Sequence, residues 1–521
     1  MRDPNTTAIE MNGPRQELDA LALEQDKFFQ TDHLKADLKG RSVRGGAITM
    51  TGQAARFVLS MGSTAVLARL LTPQDYGLLA MVTAITGFVA MFKDMGLSMA
   101  TVQKAEINND QISTLFWINV LLSLGVMFVI TALAPAIAWF YGEPRLTLIT
   151  LALAGAFIFG GLTVQHQALL RRNMRFGSLA LIQIISMSVG ILTAVIAAFY
   201  GAGYWSLVLM QLATAIAGAI AVWVACGWRP GLPVRRAGVR SMLAFGGHLT
   251  GFSFVNYFSR NADNILIGKF ISAAALGLYA KAYGLFMMPI TQIRGPLDEV
   301  AMPVLSSLQN QPERYIKYYQ RLVDIMASLT IPLALYCAIE GSFLIRIFLG
   351  QQWLGAVSVF RILVIAALIQ PVAGTRGLVL ISHGFSDRCF YWGLFNAILT
   401  VTSFLVGLPF GIEGVAAAYA IANYVILIPS LFYCFQKTPV TVSLFMRTLA
   451  SPALAGLLSA GCVILAKYVR VGDSIISHIV YAGIFTVVYG GASFSRKSIR
   501  ETSGLLLKGL PILRGRALRV S

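Results

Sequence analysis

From about residue 45 to residue 494 the chain alternates long apolar runs with short polar connections. The runs predict spans near 45–70, 76–98, 111–140, 146–170, 177–199, 204–226, 243–268, 275–296, 323–348, 354–382, 389–409, 412–435, 444–467 and 474–494. A spanning helix needs about 20 apolar residues, because each adds about 1.5 Å and the hydrocarbon core is about 30 Å thick. These runs are continuous rather than alternating with a period of two, which selects helices over a barrel. The fold class expected is an all-α integral membrane protein of about fourteen transmembrane helices. An even number places both termini on one side of the membrane.

Composition agrees with the pattern. Hydrophobic residues make up 56% of the 521 and charged residues only 12%, about half the charged share of a soluble domain. The net charge of +18 would suggest nucleic acid in a soluble protein, but here the lysines and arginines fall mainly in the even-numbered connections. Arg171, Arg172 and Arg175 lie in one, Arg229, Arg235, Arg236 and Arg240 in another, and Arg314, Lys317 and Arg321 in a third. Basic loops stay in the cytoplasm, so both termini are expected there, and no nucleic-acid partner is. The C-terminal tail, with Arg496, Lys497, Arg500, Lys508, Arg514, Arg516 and Arg519, points the same way. Residues 1–42 are polar and mixed in charge. They read as a disordered cytoplasmic tail, with Gln16 to Phe29 able to form a short amphipathic helix. Five cysteines stand singly, without CxxC or HExxH spacing, so neither a disulfide framework, a metal site nor a cofactor is expected.

The first six spans recur in the next six. Leu67-Ala-Arg-Leu-Leu-Thr-Pro-Gln-Asp-Tyr-Gly77-Leu-Leu-Ala80 returns as Ile267-Gly-Lys-Phe-Ile-Ser-Ala-Ala-Ala-Leu-Gly277-Leu-Tyr-Ala280. Phe140-Tyr-Gly-Glu-Pro-Arg-Leu146 matches Phe348-Leu-Gly-Gln-Gln-Trp-Leu354, and Gly203 with its following helix matches Gly414-Val-Ala-Ala-Ala. Six helices per repeat predict two bundles related by a pseudo-two-fold along the membrane normal, with two C-terminal helices outside them. The expected divisions are 1–42 for the tail, 43–228 and 229–440 for the six-helix lobes, 441–495 for the extra helices and 496–521 for a basic tail.

At these residues the chain resembles the Wzx-type polysaccharide flippases of the multidrug/oligosaccharidyl-lipid/polysaccharide exporter superfamily. The likeness is carried by Leu70-Leu-Thr-Pro-Gln-Asp-Tyr-Gly77, by Arg171-Arg-Asn-Met-Arg-Phe176 and most strongly by Ala262-Asp-Asn-Ile-Leu-Ile-Gly268. It continues through Leu276-Gly-Leu-Tyr-Ala-Lys-Ala-Tyr283, Pro289 and Pro303-Val-Leu-Ser-Ser307. It covers roughly residues 40–490 in helix order and loop length. The resemblance implies alternating access by two lobes and a substrate of undecaprenyl-pyrophosphate-linked oligosaccharide. It implies no covalent chemistry, and the sugar does not carry over.

A charge at mid-membrane costs at least about 2.5–3.5 kcal/mol and so faces protein, water or a ligand. Arg56 lies near the middle of the first span and aligns with Asn256 in the repeat. It reads as a cavity cation for phosphate or acidic sugars, or as an arginine tied to backbone carbonyls. Arg260 and Asp263 lie three residues apart, where side chains can meet. They form either a neutralising pair or a cavity cation beside a proton or sodium site. Asp94, next to Lys93, is a second candidate for ion coupling. Lys281 and Arg294 are further cavity cations, with snorkelling to the interface the competing reading for Arg294. Arg361 and Glu340 are weaker candidates. His166 and His248 read as packing residues, and the Phe252, Phe254, Tyr257 and Phe258 cluster as lipid-facing or core, or as a stacking surface for sugars.

The function expected is a flippase moving such repeat units to the periplasmic leaflet of a bacterial inner membrane, for exopolysaccharide or lipopolysaccharide synthesis. Membrane lipids, a polysaccharide polymerase and export machinery are its expected partners. No GxxxxGK[ST] motif is present, so ATP hydrolysis is not expected. A multidrug or cation antiporter of the same superfamily would favour carboxylates inside the spans, where this chain has more arginine and lysine. A membrane polymerase or acyltransferase would need a large hydrophilic loop with catalytic residues. The longest connection, near 297–322, has none. A lipid-II-type flippase is poorly separated by sequence.

Overall fold

The computed structural model describes residues 38–94, 96–104, 106–234, 257, 260–469 and 474–494. Residues 1–37 of the expected 1–42 tail, the C-terminal tail, Asn256, His248 and most of the 243–268 span lie outside the described residues, while 38–42 already belong to the first helix. Among those described there are helices and connections, and no strand. They divide into two units, Met1–Ala274 and Ala275–Ser521.

In the first unit α1 runs Leu38–Leu70, α2 Pro73–Ala90, α3 Leu97–Gln103, α4 Asn109–Tyr141, α5 Arg145–Arg172, α6 Phe176–Phe199 and α7 Trp205–Cys226. Residues 260–270 are helical as well. Turns of a few residues make neighbours antiparallel, so α4 packs on α5, α6 on α7 and α1 on α6. The starts are set by side chains. Thr72 accepts from the Asp75 N–H while Asp75 bonds back to the Thr72 N–H, which satisfies two donors that a helix end leaves open. Ile112, Leu115, Phe116, Leu169, Val222 and Trp228 form a buried cluster among α4, α5 and α7.

In the second unit α8 runs Ala273–Ser307, crossing the division at its start, α9 Pro312–Ile339 and α10 Gly341–Phe348. The next span is broken into α11 Val357–Ala367, α12 Gln370–Ala373 and α13 Thr375–Ser382. Then follow α14 Ser386–Gly407, α15 Gly411–Phe435, α16 Val442–Tyr468 and α17 Ile475–Phe494. Tyr315, Tyr319, Met326, Val372, Leu431 and Phe435 lie in its largest core cluster.

Ten described segments are long and apolar enough to cross a membrane, and one of them, Ser386–Phe435, contains both α14 and α15. The buried share of their apolar windows runs from 22% in Trp205–Cys226 to 56% in Gln351–Ser382. Most of this apolar surface therefore faces outward, where only lipid can cover it at low cost. The chain is a multi-pass, all-α membrane protein.

The connection expected near 297–322 is not a loop. Helix α8 continues to Ser307 and α9 begins at Pro312. Arg314, Lys317 and Arg321 lie on the first turns of α9, and a helix that leaves the bilayer can keep its hydrogen bonds while its side chains turn polar. Two of the three anchor pairs have like backbone geometry. Leu71 and Ile271 both close a helical turn onto the residue four before, at 2.9 and 3.0 Å, and a new helix follows two residues later. Gly142 and Gly350 both carry positive φ, 70° and 103°, a conformation that costs glycine least. The third anchor shifts: the positive φ belongs to Gly411, whereas Gly414 sits inside α15 packed against Gly407.

Candidate functional site

The charges in the spans differ in what holds them. Arg56 lies half-buried on α1, and its Nε donates to the Gly52 carbonyl one turn back at 3.3 Å. Among the described residues its Nη1 and Nη2 groups make no hydrogen bond. One long bond to its own helix leaves most of the fork uncommitted. Arg260 is exposed while Asp263 is buried at 6%. Asp263 Oδ1 accepts from the Asn264 N–H at 2.8 Å.

Asp94 caps α3. Its Oδ1 accepts from the Ser98 N–H at 2.9 Å and its Oδ2 from the Ser98 hydroxyl at 2.5 Å. A carboxylate at a helix N-terminus also meets the positive end of the helix dipole. Lys281 is half-buried on α8.

Arg294, further along α8, is held on two sides. Its Nε pairs with Asp298 Oδ2 at 2.8 Å, one turn on. Its guanidinium also covers Gly374, between α12 and α13. A Cβ at that glycine would lie 2.5 Å from both Nη atoms and 2.6 Å from Cζ. Two residues on, Arg376 donates to Ser430 Oγ at 3.1 Å and lies over the Trp392 ring at 5.5 Å. Sequence reasoning passed over Arg376, because its partners lie on α14 and α15, remote in the chain.

Two further charged groups were missed or ranked low. Arg172, grouped by sequence with a basic loop, is 7% exposed and donates to the Thr101 carbonyl at 3.2 Å and to that of Lys104. It thereby satisfies carbonyls at the open end of α3. Glu340, between α9 and α10, is 1% exposed. Lys467 Nζ lies 2.7 Å from its Oε1, and His478 Nδ1 lies 2.7 Å from its Oε2. The His478 ring stacks on Phe343 at 3.7 Å. These contacts fasten α16 and α17 to the end of α9. His166 is fully buried and stacked on Trp223 at 4.6 Å, a packing position. Tyr257 donates to the Thr83 and Ala84 carbonyls at 3.1 and 3.0 Å, so its hydroxyl is engaged within the first unit.

A family model described as polysaccharide biosynthesis protein matches residues 66–358, more than half of the chain. The chain belongs to that family. It is similar to the teichuronic acid biosynthesis protein TuaB of Bacillus subtilis, 26% identical over 373 residues that cover 71% of this chain and 77% of TuaB. The lipopolysaccharide biosynthesis protein WzxC of Escherichia coli is 23% identical over 381 residues, covering 72% and 77%. The succinoglycan biosynthesis transport protein ExoT of Rhizobium meliloti is 24% identical over 443 residues, covering 82% and 87%. Among solved structures, the lipid II flippase MurJ in an inward closed conformation superposes with a TM-score of 0.70 at 13% identity, covering 87% of this chain and 98% of that one. An inward-facing multidrug transporter of the MATE family gives 0.61 at 14% identity, covering 76% and 96%. At such identities the likeness establishes the shared helical fold.

Proposed function

We propose that the protein flips undecaprenyl-pyrophosphate-linked oligosaccharide repeat units from the cytoplasmic to the periplasmic leaflet of a bacterial inner membrane, with both termini in the cytoplasm. The two six-helix lobes, 43–228 and 229–440, alternate access, and the product serves exopolysaccharide or lipopolysaccharide synthesis. Arg56, Lys281, Arg294 and Arg260 are the cations that meet the diphosphate or acidic sugars, and Asp263 is the candidate for ion coupling. Asp94, spent as a helix cap, is the weaker one. A polysaccharide polymerase and export machinery would take the product onward.

The observation that carries this reading is Arg56. Among the described residues a half-buried guanidinium midway along α1 keeps its Nη groups unbonded, in a member of a polysaccharide biosynthesis family. The fork's planar donors match phosphate and carboxylate oxygens in pairs.

The test is deletion in a strain lacking related flippases. Lipid-linked repeat units should accumulate facing the cytoplasm, and the matching surface polymer should disappear. Normal polymer with reduced drug tolerance would replace this reading with a multidrug exporter. For orientation, a reporter active only in the periplasm should work when fused near Tyr141, Gly201 or Gly411. It should fail near Arg236 or beyond Arg496.

A further inference from the structure

The break in the span after α11 places a bare backbone beneath a charged side chain. Gly374 has an ordinary φ of −61°, so its backbone conformation does not require glycine. The space does. An alanine there would put its Cβ 2.5–2.6 Å from Nη1, Nη2 and Cζ of Arg294, far inside contact distance. Near-equal distances to those three atoms mean that the flat face of the guanidinium lies on the glycine. At its Nε edge the same group is fixed by Asp298 at 2.8 Å. Face and edge together set the plane of the fork and its direction. Of the five N–H donors of an arginine, one is engaged, and among the described residues the Nη1 and Nη2 donors have no partner. Neighbouring Arg376 has no such freedom, since Ser430 and Trp392 hold it.

We infer that Gly374 and Asp298 are positioning residues that present the Arg294 fork, already oriented, to an oxyanion of the transported molecule. The inference rests on the proposed transport of an anionic lipid-linked glycan and adds how one cation is prepared for it. Orientation fixed before binding saves the entropy of immobilising a long side chain. The oxyanion has two possible sources, the diphosphate of the carrier and a carboxylate of an acidic sugar.

Gly374→Ala is a clean probe, because the atoms it would displace are the far end of a flexible side chain and not backbone. The fold should persist while the fork is pushed aside. The full-length protein in detergent is titrated with inorganic pyrophosphate and, separately, with glucuronate. The variants are Gly374→Ala, Arg294→Lys and the double substitution, with thermal unfolding measured for each. A lysine has no flat face for the added methyl to displace. Gly374→Ala should therefore weaken binding about tenfold with Arg294 present and less than about twofold in the Arg294→Lys background, a coupling that contacting residues show. Asp298→Asn should weaken binding of the same probe by a smaller factor. Dependence on pyrophosphate assigns the site to the carrier, and dependence on glucuronate assigns it to the sugar. Equal losses in both backgrounds, unchanged affinity in Gly374→Ala, or no binding of either probe by the unaltered protein would overturn the inference. None of these outcomes bears on the deletion phenotype, which tests transport itself.

Discussion

Arg56 on α1 and Arg294 on α8 are the same kind of residue in two differently built places. Among the described residues Arg56 holds only the carbonyl of Gly52, in its own helix, at 3.3 Å. Arg294 is gripped by a carboxylate at its Nε edge and lies flat on a glycine from another helix. The first arrangement leaves a long side chain loosely held. The second spends structure to fix a direction. Residue type does not separate the two; what each touches does.

The comparison is broken most severely at Arg56. Arg56→Asn, which places the residue of the repeat-related position, should abolish export while abundance and insertion stay normal. Export at the unaltered level by a stable Arg56→Asn protein would return Arg56 to a structural role. Lysine then sharpens the contrast. Arg56→Lys should keep a substantial part of export, since a loosely held cation contributes chiefly charge. Arg294→Lys should lose more, because lysine cannot reproduce a fixed planar fork; complementation assays would rank the two. A third region supplies the control for stability. Lys467→Met should leave the buried Glu340 held by His478 without its lysine, a loss smaller than the about 3–5 kcal/mol of a buried charge left wholly without a partner. Less protein should be recovered, and it should unfold at lower temperature. Glu340→Gln with Lys467→Met should recover most of that loss.

The smallest effect is expected at Glu143, in the turn after α4. Arg145 bonds its carboxylate at 2.8 Å through Nε and Nη2, and this holds the Glu143 carboxyl below its ordinary value. A lowered carboxyl stabilises the fold above its unfolded pKa, and that contribution fades as pH falls through the folded value. The pair is largely open to solvent, so screening leaves little of it. Glu143→Gln should leave the melting temperature at neutral pH unchanged within error.

Most of the fold is legible in the chain because a lipid-facing helix must be apolar along its whole length. The signal failed where that constraint ends. Arg314, Lys317 and Arg321 suggested a loop, yet α9 includes them, because water tolerates polar helices as readily as polar loops. Candidate charges were visible as exceptions inside apolar runs, so Arg56, Arg260, Asp263, Lys281 and Arg294 could all be named. Their partners could not. Arg260 and Asp263 have the right spacing to meet, but one is exposed and the other buried. Gly374 gave no signal, because a glycine in a span looks like any other until the neighbour that needs its space is seen. Glu340 ranked low because its partner His478 is 138 residues away.

That last distance has a consequence for the making of the protein. A ribosome adds Glu340 well before Lys467 and His478, so the carboxylate enters the growing structure ahead of both groups that bond it. Until α16 and α17 arrive, the nascent chain carries this acid at the end of α9 without either partner. Docking of the final hairpin supplies both. A chain interrupted before Lys467 would lack both of these partners of Glu340.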